Sequence, residues 1–175
     1  INVVSARLAR FVGRGNVAEM AGRLGISTPQ PDDLTISLGS GEASLLEMTS
    51  AYACVAREGY PAKPFGIVEI RTKRGKVLYR SPAQSYEHLL SADVSYQMHQ
   101  MLQGVMDRGT GRKIKLEDGM CAGKSGTSQH HKDAWFIGYN DQLVTGVWVG
   151  NDDNRPMQKV TGATLPGKIW YQFMK

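Results

Sequence analysis

Several things are scarce in this sequence, and each absence narrows what the chain can be. No wholly apolar stretch exceeds a few residues, so nothing in it can cross a bilayer as a helix, and no signal peptide is recognisable. Only two cysteines occur, Cys54 and Cys121, with neither metal-ligand spacing nor the number needed for a disulfide framework; they read as small buried hydrophobes. No repeat of 20 to 50 residues and no low-complexity tract is found, which excludes a solenoid and a disordered tail. A dominant charge sign is missing too: 21 basic residues face 16 acidic ones, for a formal net charge of +5. The basic residues are dispersed and no stacking aromatics accompany a basic stripe, so nucleic acid is not an expected partner. The densest group, Arg71, Lys73, Arg74 and Lys76, brackets Gly75 and reads as a solvated hairpin tip. The sequence begins at Ile1 without a methionine and is expected to be a piece of a longer protein, its targeting segment lying upstream.

What is present is enough for one domain. The 175 residues are 41% hydrophobic, enough to bury a core, and residues 1–175 read as a single globular unit. Asn2 suits the N-cap of a helix whose apolar face is Val4, Leu8, Phe11 and Val12. A second helix is expected with Asn16 as cap, Val17, Met20, Ala21 and Leu24 inward, and Gly25 as stop; residues 26–40 read as an ordered loop. Ser44 and Glu47 fit a capping box, with Leu45, Met48, Tyr52 and Val55 carrying the helical period. Residues 65–71 and 76–80 read as a β-hairpin. A helix from Ser91 to about Asp107 is expected to turn Val94, Met98, Met101, Leu102 and Val105 inward. Three β-prone segments, MCAGKSGT, AWFIGYN and LVTGVWVG, then suggest an antiparallel meander, and a helix follows Pro166. Helices first and contiguous strands after make the class α+β: an antiparallel sheet flanked by helices.

The segment GKSGT, residues 123–127, is where chemistry concentrates. A phosphate-binding loop would need glycine at 118, where Asp118 stands, and a helix after the lysine, where Gly126 and strands follow instead. On a strand, Lys124 and Gly126 share one face, and Ser125 and Thr127 the other. Gly126 leaves room for a ligand backbone to cross, so an extended peptide can add as a further strand, and the ammonium and hydroxyls together can hold a carboxylate. The four residues alone are equally compatible with an exposed edge strand guarded by a lysine. His130 and His131, adjacent in a turn, lack a third metal ligand; Asp152, Asp153 and Asn154 lack the glycine and glutamate of a calcium loop. No metal or cofactor is expected. Asp133 is open to pairing with Lys132 or capping a strand. Trp135, Trp148 and Trp170 read as core, with the alternative that one of them lines a cleft.

GKSGT followed by DAWFIGY, then TGVWVGNDDNRPM and TGATLPGKIW, with LGSGEASLLEMTSAYA and DRGTGRKI upstream, resembles the C-terminal part of the transpeptidase domain of class A penicillin-binding proteins, the bifunctional peptidoglycan synthases. The resemblance covers nearly all of the chain. It implies the penicillin-binding protein/serine β-lactamase-like fold, incomplete at its N-terminal side, and three motifs: Ser-x-x-Lys, Ser-x-Asn and Lys-Thr/Ser-Gly. The third falls on Lys124, Ser125 and Gly126, with Thr127 next. Of the second, only the last member is present, as Asn2. The first is absent, since no serine in the chain has lysine three places on.

By that resemblance, a serine outside this chain attacks the D-Ala-D-Ala bond of a peptidoglycan stem peptide, and β-lactam antibiotics imitate that substrate. Lys124 then supplies positive potential, Ser125 and Thr127 donate hydroxyls to the substrate carboxylate, and the Thr127 amide serves as an oxyanion donor. Asn2 contacts the donor amide, Gly126 admits the ligand backbone, and Thr110 borders the site mouth. The implied location is the extracytoplasmic, periplasmic face of the bacterial inner membrane, with the remaining N-terminal part of the domain as partner and no membrane contact by the chain itself. Two other readings stay open from residues alone: a β-lactam-binding sensor or β-lactamase relative, and a non-catalytic peptide-binding module of the same fold.

Overall fold

The computed structural model describes residues 2–83, 87–117 and 120–175. Its element order is α1 (Asn2–Val12), α2 (Arg14–Arg23), a 3-10 turn (Leu34–Leu38), α3 (Leu45–Ala56), β1 (Glu69–Arg71), β2 (Val77–Arg80), α4 (Ala92–Asp107), β3 (Ala122–Thr127), β4 (Asp133–Tyr139), β5 (Val144–Gly150) and α5 (Leu165–Met174). The α+β expectation holds: β3, β4 and β5 form an antiparallel sheet in that order, and β1 and β2 a separate hairpin.

Register explains how two cores form on one sheet. Gly138 on β4 lies under the Trp170 ring, so Ala134, Phe136 and Gly138 face α5. There Phe136 and Trp170 pack with Met106, Ile114, Leu116, Cys121 and Met174, and Trp170 donates from Nε1 to the Gly138 carbonyl at 3.1 Å. On the opposite face, Tyr139 and Ala122 pack with Cys54 and Val55 of α3 and Leu102 of α4, while Gly146 lies against Thr49 and Leu45. Both cysteines are free and buried.

The expected start of α3 is realised in full. Ser44 Oγ accepts from the Glu47 amide at 3.2 Å, and Glu47 Oε2 accepts from the Ser44 amide at 2.8 Å. Glu47 Oε1 also takes the Ser27 amide and hydroxyl, tying the loop after α2 to this helix. The Ser27 hydroxyl first, then the Ser44 and Ser27 amides, hold the carboxyl down from 4.5 to about 2.

Four local expectations are corrected. Asn2 is the first residue of α1 rather than the cap before it. Asn16 is not the α2 cap: Gly13 holds that place, and Asn16 Nδ2 donates back to the Val12 carbonyl at 2.8 Å. The α1 face of Val4, Leu8, Phe11 and Val12 is exposed, Phe11 to 89%, and only Ala9 of this helix is buried. On α4, Leu102 is buried as expected, but Val94 and Met101 face outward, while Ser95 and Met106 are the other buried residues. A helical period identifies an apolar stripe without identifying what covers it.

Candidate functional site

Among the described residues, β3 is an edge strand, with β4 on one side only. The direction of its unpaired groups follows from alternation. Gly126 is registered with Trp135, and the Gly126 nitrogen, Gly126 oxygen and Trp135 oxygen cluster beneath the α-carbon of Gly162. The Ser128 amide bonds the Asp133 carbonyl at 2.9 Å two residues along the same ladder, so Gly126 and Trp135 form a bonded pair, and the flanking residues on the edge strand turn their main-chain groups the other way. Ser125 and Thr127 thus present N–H and C=O to the open side. In keeping with this, the Ser125 carbonyl accepts from Lys124 Nζ at 2.7 Å.

That bond also resolves a problem posed by the strand period. Lys124 and Ser125 start on opposite faces of β3, but the ammonium curls back to the rim, where the Ser125 carbonyl holds it. Burial lowers the Lys124 pKa, although the residue as a whole is exposed. Ser125 Oγ shares a hydrogen bond of 2.8 Å with Thr110 Oγ1, contributed by the turn after α4. Thr127 Oγ1 accepts from the Gly162 amide at 3.0 Å. Gly126 leaves its sheet face low, a β-carbon there meeting only the Trp135 side chain at 3.4 Å.

The structure therefore brings together Thr110, Lys124, Ser125, Gly126 and Thr127: one ammonium, three hydroxyls and outward main-chain groups along a single edge. It can accept an extended chain as an added strand and hold an anion beside it. Among the described residues, no hydrogen bond or ion pair joins Asn2 to this group, and α1 contacts α2 and the 3-10 turn instead. A shallow, open depression runs along the outer face of α4 past Gln97, Met101 and Gly104 to Gly109, next to Thr110. Among the described residues, no group of three or more His, Cys, Asp or Glu could hold a metal ion.

Residues beyond the sequence expectation support this edge. Asp133, the first residue of β4, takes the capping rather than the ion-pairing role: its carboxylate accepts from Ser128 Oγ at 2.9 Å and Trp148 Nε1 at 3.0 Å, closing the turn after β3. Trp148 is partly exposed, whereas Trp170 is fully buried. His131 is more than an exposed turn residue; its Nδ1 lies 2.9 Å from the Val160 carbonyl. Gly162 had one faint sequence signal, a glycine between hydroxyl residues just before a proline-started helix.

The chain resembles known proteins along its whole length. Residues 1–175 match the family described as penicillin binding protein transpeptidase domain. The chain is 34% identical over 176 residues to penicillin-binding protein 1A of Aquifex aeolicus, covering all of this chain and 24% of that protein. With penicillin-binding protein 1A of Rickettsia bellii it shares 32% identity over 196 residues, 99% of this chain and 25% of that one. It therefore spans about a quarter of the length of these relatives. Among solved structures, PonA1 of Mycobacterium tuberculosis in complex with penicillin V superposes with a TM-score of 0.85 at 25% identity, over 97% of this chain and 51% of that one. Penicillin-binding protein 1A of Haemophilus influenzae shares the fold, with a TM-score of 0.84 at 23% identity, over 99% of this chain and 32% of that one. A match along its whole length, carried through the strand that bears Lys124 to Thr127, makes this chain a member of the penicillin-binding protein transpeptidase domain family.

Proposed function

We propose that residues 1–175 form the C-terminal portion of one penicillin-binding transpeptidase domain and supply the carboxylate-binding edge of a serine-type D,D-transpeptidase. The substrate is the D-Ala-D-Ala end of a peptidoglycan stem peptide. A serine in the rest of the domain attacks the penultimate D-Ala carbonyl; the amide C–N bond breaks, D-Ala leaves with a proton on its amine, and an ester to the serine forms. An acceptor amine then displaces the serine, which regains its proton, and the cross-link is made. β-Lactams imitate the donor, and serine opens their ring to a persistent ester; the penicillin V complex of PonA1 supports this ligand class.

One observation carries the proposal: the open edge of β3 gathers Lys124, Ser125, Thr127 and Thr110, with main-chain groups directed outward. The Lys124 ammonium attracts the terminal carboxylate, and Ser125 and Thr127 donate to it. The Thr127 amide is one oxyanion donor, a group whose loss typically costs about 100- to 1,000-fold in rate. Gly126 lets the substrate backbone pass, and Asn2 approaches the donor amide once the remaining part of the domain sets α1 in place. Peptidoglycan as substrate puts the site on the extracytoplasmic, periplasmic face of the bacterial inner membrane. No described helix is long and apolar enough to cross that membrane.

Labelling with a fluorescent penicillin tests this. The complete polypeptide that carries this chain is expected to form a stoichiometric adduct and the isolated 175 residues none, since no serine in them has lysine three places on. Lys124→Ala in the complete polypeptide should slow labelling about ten- to a hundredfold, the equivalent of one charge-assisted hydrogen bond. An adduct on the isolated chain, or unchanged labelling of the variant, would refute the assignment.

A further inference from the structure

We infer that segment 157–164 is a clamp that sets the Thr127 hydroxyl as a hydrogen-bond donor toward the ligand carboxylate, with Gly162 as its positioning residue. This rests on the functional reading above and names a residue outside its machinery.

Three bonds tie the segment to the end of β3 and the turn that follows it. The Met157 amide donates to the His131 carbonyl at 3.0 Å, His131 Nδ1 lies 2.9 Å from the Val160 carbonyl, and the Gly162 amide donates to Thr127 Oγ1 at 3.0 Å. Because a carbonyl only accepts, the second bond requires His131 to carry its proton on Nδ1. His130 and His131 both hold left-handed backbone angles, φ 58° and 57°, which side chains other than glycine rarely adopt. The turn is thus held in an unfavourable conformation against the segment.

The third bond has a chemical consequence. A hydroxyl has one proton and two lone pairs, and an amide N–H pointing at the oxygen occupies a lone pair and drives the proton away from that side. Among the described residues, no acceptor takes the Thr127 proton, and Thr127 is exposed at the rim. The hydroxyl is therefore left with its proton free for a ligand, on the edge where Lys124 Nζ lies. A carboxylate, which only accepts, matches that polarity.

Gly162 is placed so that no other residue can do this. A β-carbon on it would lie 2.2 Å from the Trp135 oxygen, 2.5 Å from the Gly126 oxygen and 2.8 Å from the Gly126 nitrogen, all backbone atoms that cannot swing aside. Its amide direction is fixed from both sides. Thr164 Oγ1 accepts from the Thr161 amide and donates to the Thr161 carbonyl, both at 2.8 Å, and the Gly162 carbonyl accepts from the Gly167 amide in the first turn of α5 at 3.0 Å. The ligand-facing hydroxyl is in this way referenced to the helix whose Trp170 anchors the core.

The test uses the complete polypeptide and compares acylation by a penicillin with acylation by its carboxylate methyl ester. Wild type should prefer the free acid. Gly162→Ala and Thr127→Val should each lower acylation by the acid about ten- to a hundredfold, the range for a bond to a charged group, and change the ester little, so that discrimination collapses. Thr127→Ser should keep it, and the double variant should be no worse than the poorer single one. Equal slowing with both ligands, or multiplying losses in the double variant, would overturn the inference, because a packing defect acts on both ligands and independently of the hydroxyl. Should Gly162→Ala lose its thermal transition, His131 decides: His131→Ala should reduce discrimination, whereas His131→Asn, which tolerates the left-handed backbone and keeps an N–H near Nδ1, should restore most of it. Wild-type discrimination in His131→Ala overturns the inference. A wild type that is not acylated at all overturns the functional reading and this inference with it; normal acylation with intact discrimination in Gly162→Ala overturns the inference alone.

Discussion

Helix α5 with the strands beneath it and helix α1 at the other end of the chain are both amphipathic, yet they end in opposite situations. On α5, Trp170 and Met174 reach into a core with Phe136 and Met106, and the strand bearing Lys124 to Thr127 is held through that core. On α1, Val4, Leu8 and Phe11 point to solvent, and Arg7 and Arg10 lie on the same short helix. The outer side of α5 shows the same lack of cover at Leu165, Ile169 and Phe173, spaced at four residues. Exposed apolar rows of this kind mark surfaces that pack against something else. The β3 edge is thus braced from within this chain, while the helix carrying Asn2 is not. This matches the lack, among the described residues, of any bond between Asn2 and Lys124 to Thr127, and a chain that spans a quarter of its relatives' length.

The comparison can be broken most directly at Trp170. Replacing it with alanine removes a fully buried ring and its bond to the Gly138 carbonyl, and should cost about 3–5 kcal/mol in urea unfolding. A loss under 1 kcal/mol would mean the braced region is not braced by α5.

A smaller effect is expected at the start of α3. Ser44→Ala should cost about 0.5–2 kcal/mol through the cap. The Glu47 carboxyl, held near 2 in the folded chain against 4.5 ordinarily, adds a pH signature. Its folded pKa is depressed, so its contribution is fully present above pH 4.5 and is lost as pH falls toward 2. Glu47→Gln should flatten the acid limb of the stability profile; an unchanged limb would show that the bonds to Ser27 and Ser44 do not hold in solution.

At the site itself the slope has the same sign but the opposite cause, burial of a charge rather than hydrogen bonding to one. Burial lowers the Lys124 pKa, so the unfolded chain holds that proton more tightly than the folded one. Stability should therefore rise with pH between the lowered folded value and 10.5, and Lys124→Met should remove that rise. Denaturation midpoints measured between pH 8 and 10.5 would show the difference.

The smallest effect belongs to α1. Phe11→Ala in the isolated chain should shift stability by no more than about 0.5 kcal/mol, as an exposed substitution does. A larger loss would show that α1 finds cover within these 175 residues and would end the contrast between the two regions.

Local chemistry was legible wherever a residue's partner lay within a few positions. The Ser44–Glu47 box, the Gly75 hairpin tip and the order of the three strands could be read because caps, turns and alternation are short-range effects. Met101 was misread for the opposite reason. It shares the helical period of Leu102 and Met98, but only the position of β3 and α3 decides which side of α4 is covered. His131 looked like a turn residue because its partners, Met157 and Val160, lie 26 and 29 positions away.

By itself, the sequence determined the elements, their order, and a strand carrying an ammonium and two hydroxyls in alternation, since each of these depends on local backbone preference and spacing. Tertiary structure alone decided that Thr110 meets Ser125 and that the Gly162 amide meets the Thr127 hydroxyl. Those outcomes require segments 15 to 35 residues apart to meet within hydrogen-bonding distance, and only closure of the sheet against α4 and α5 sets such distances.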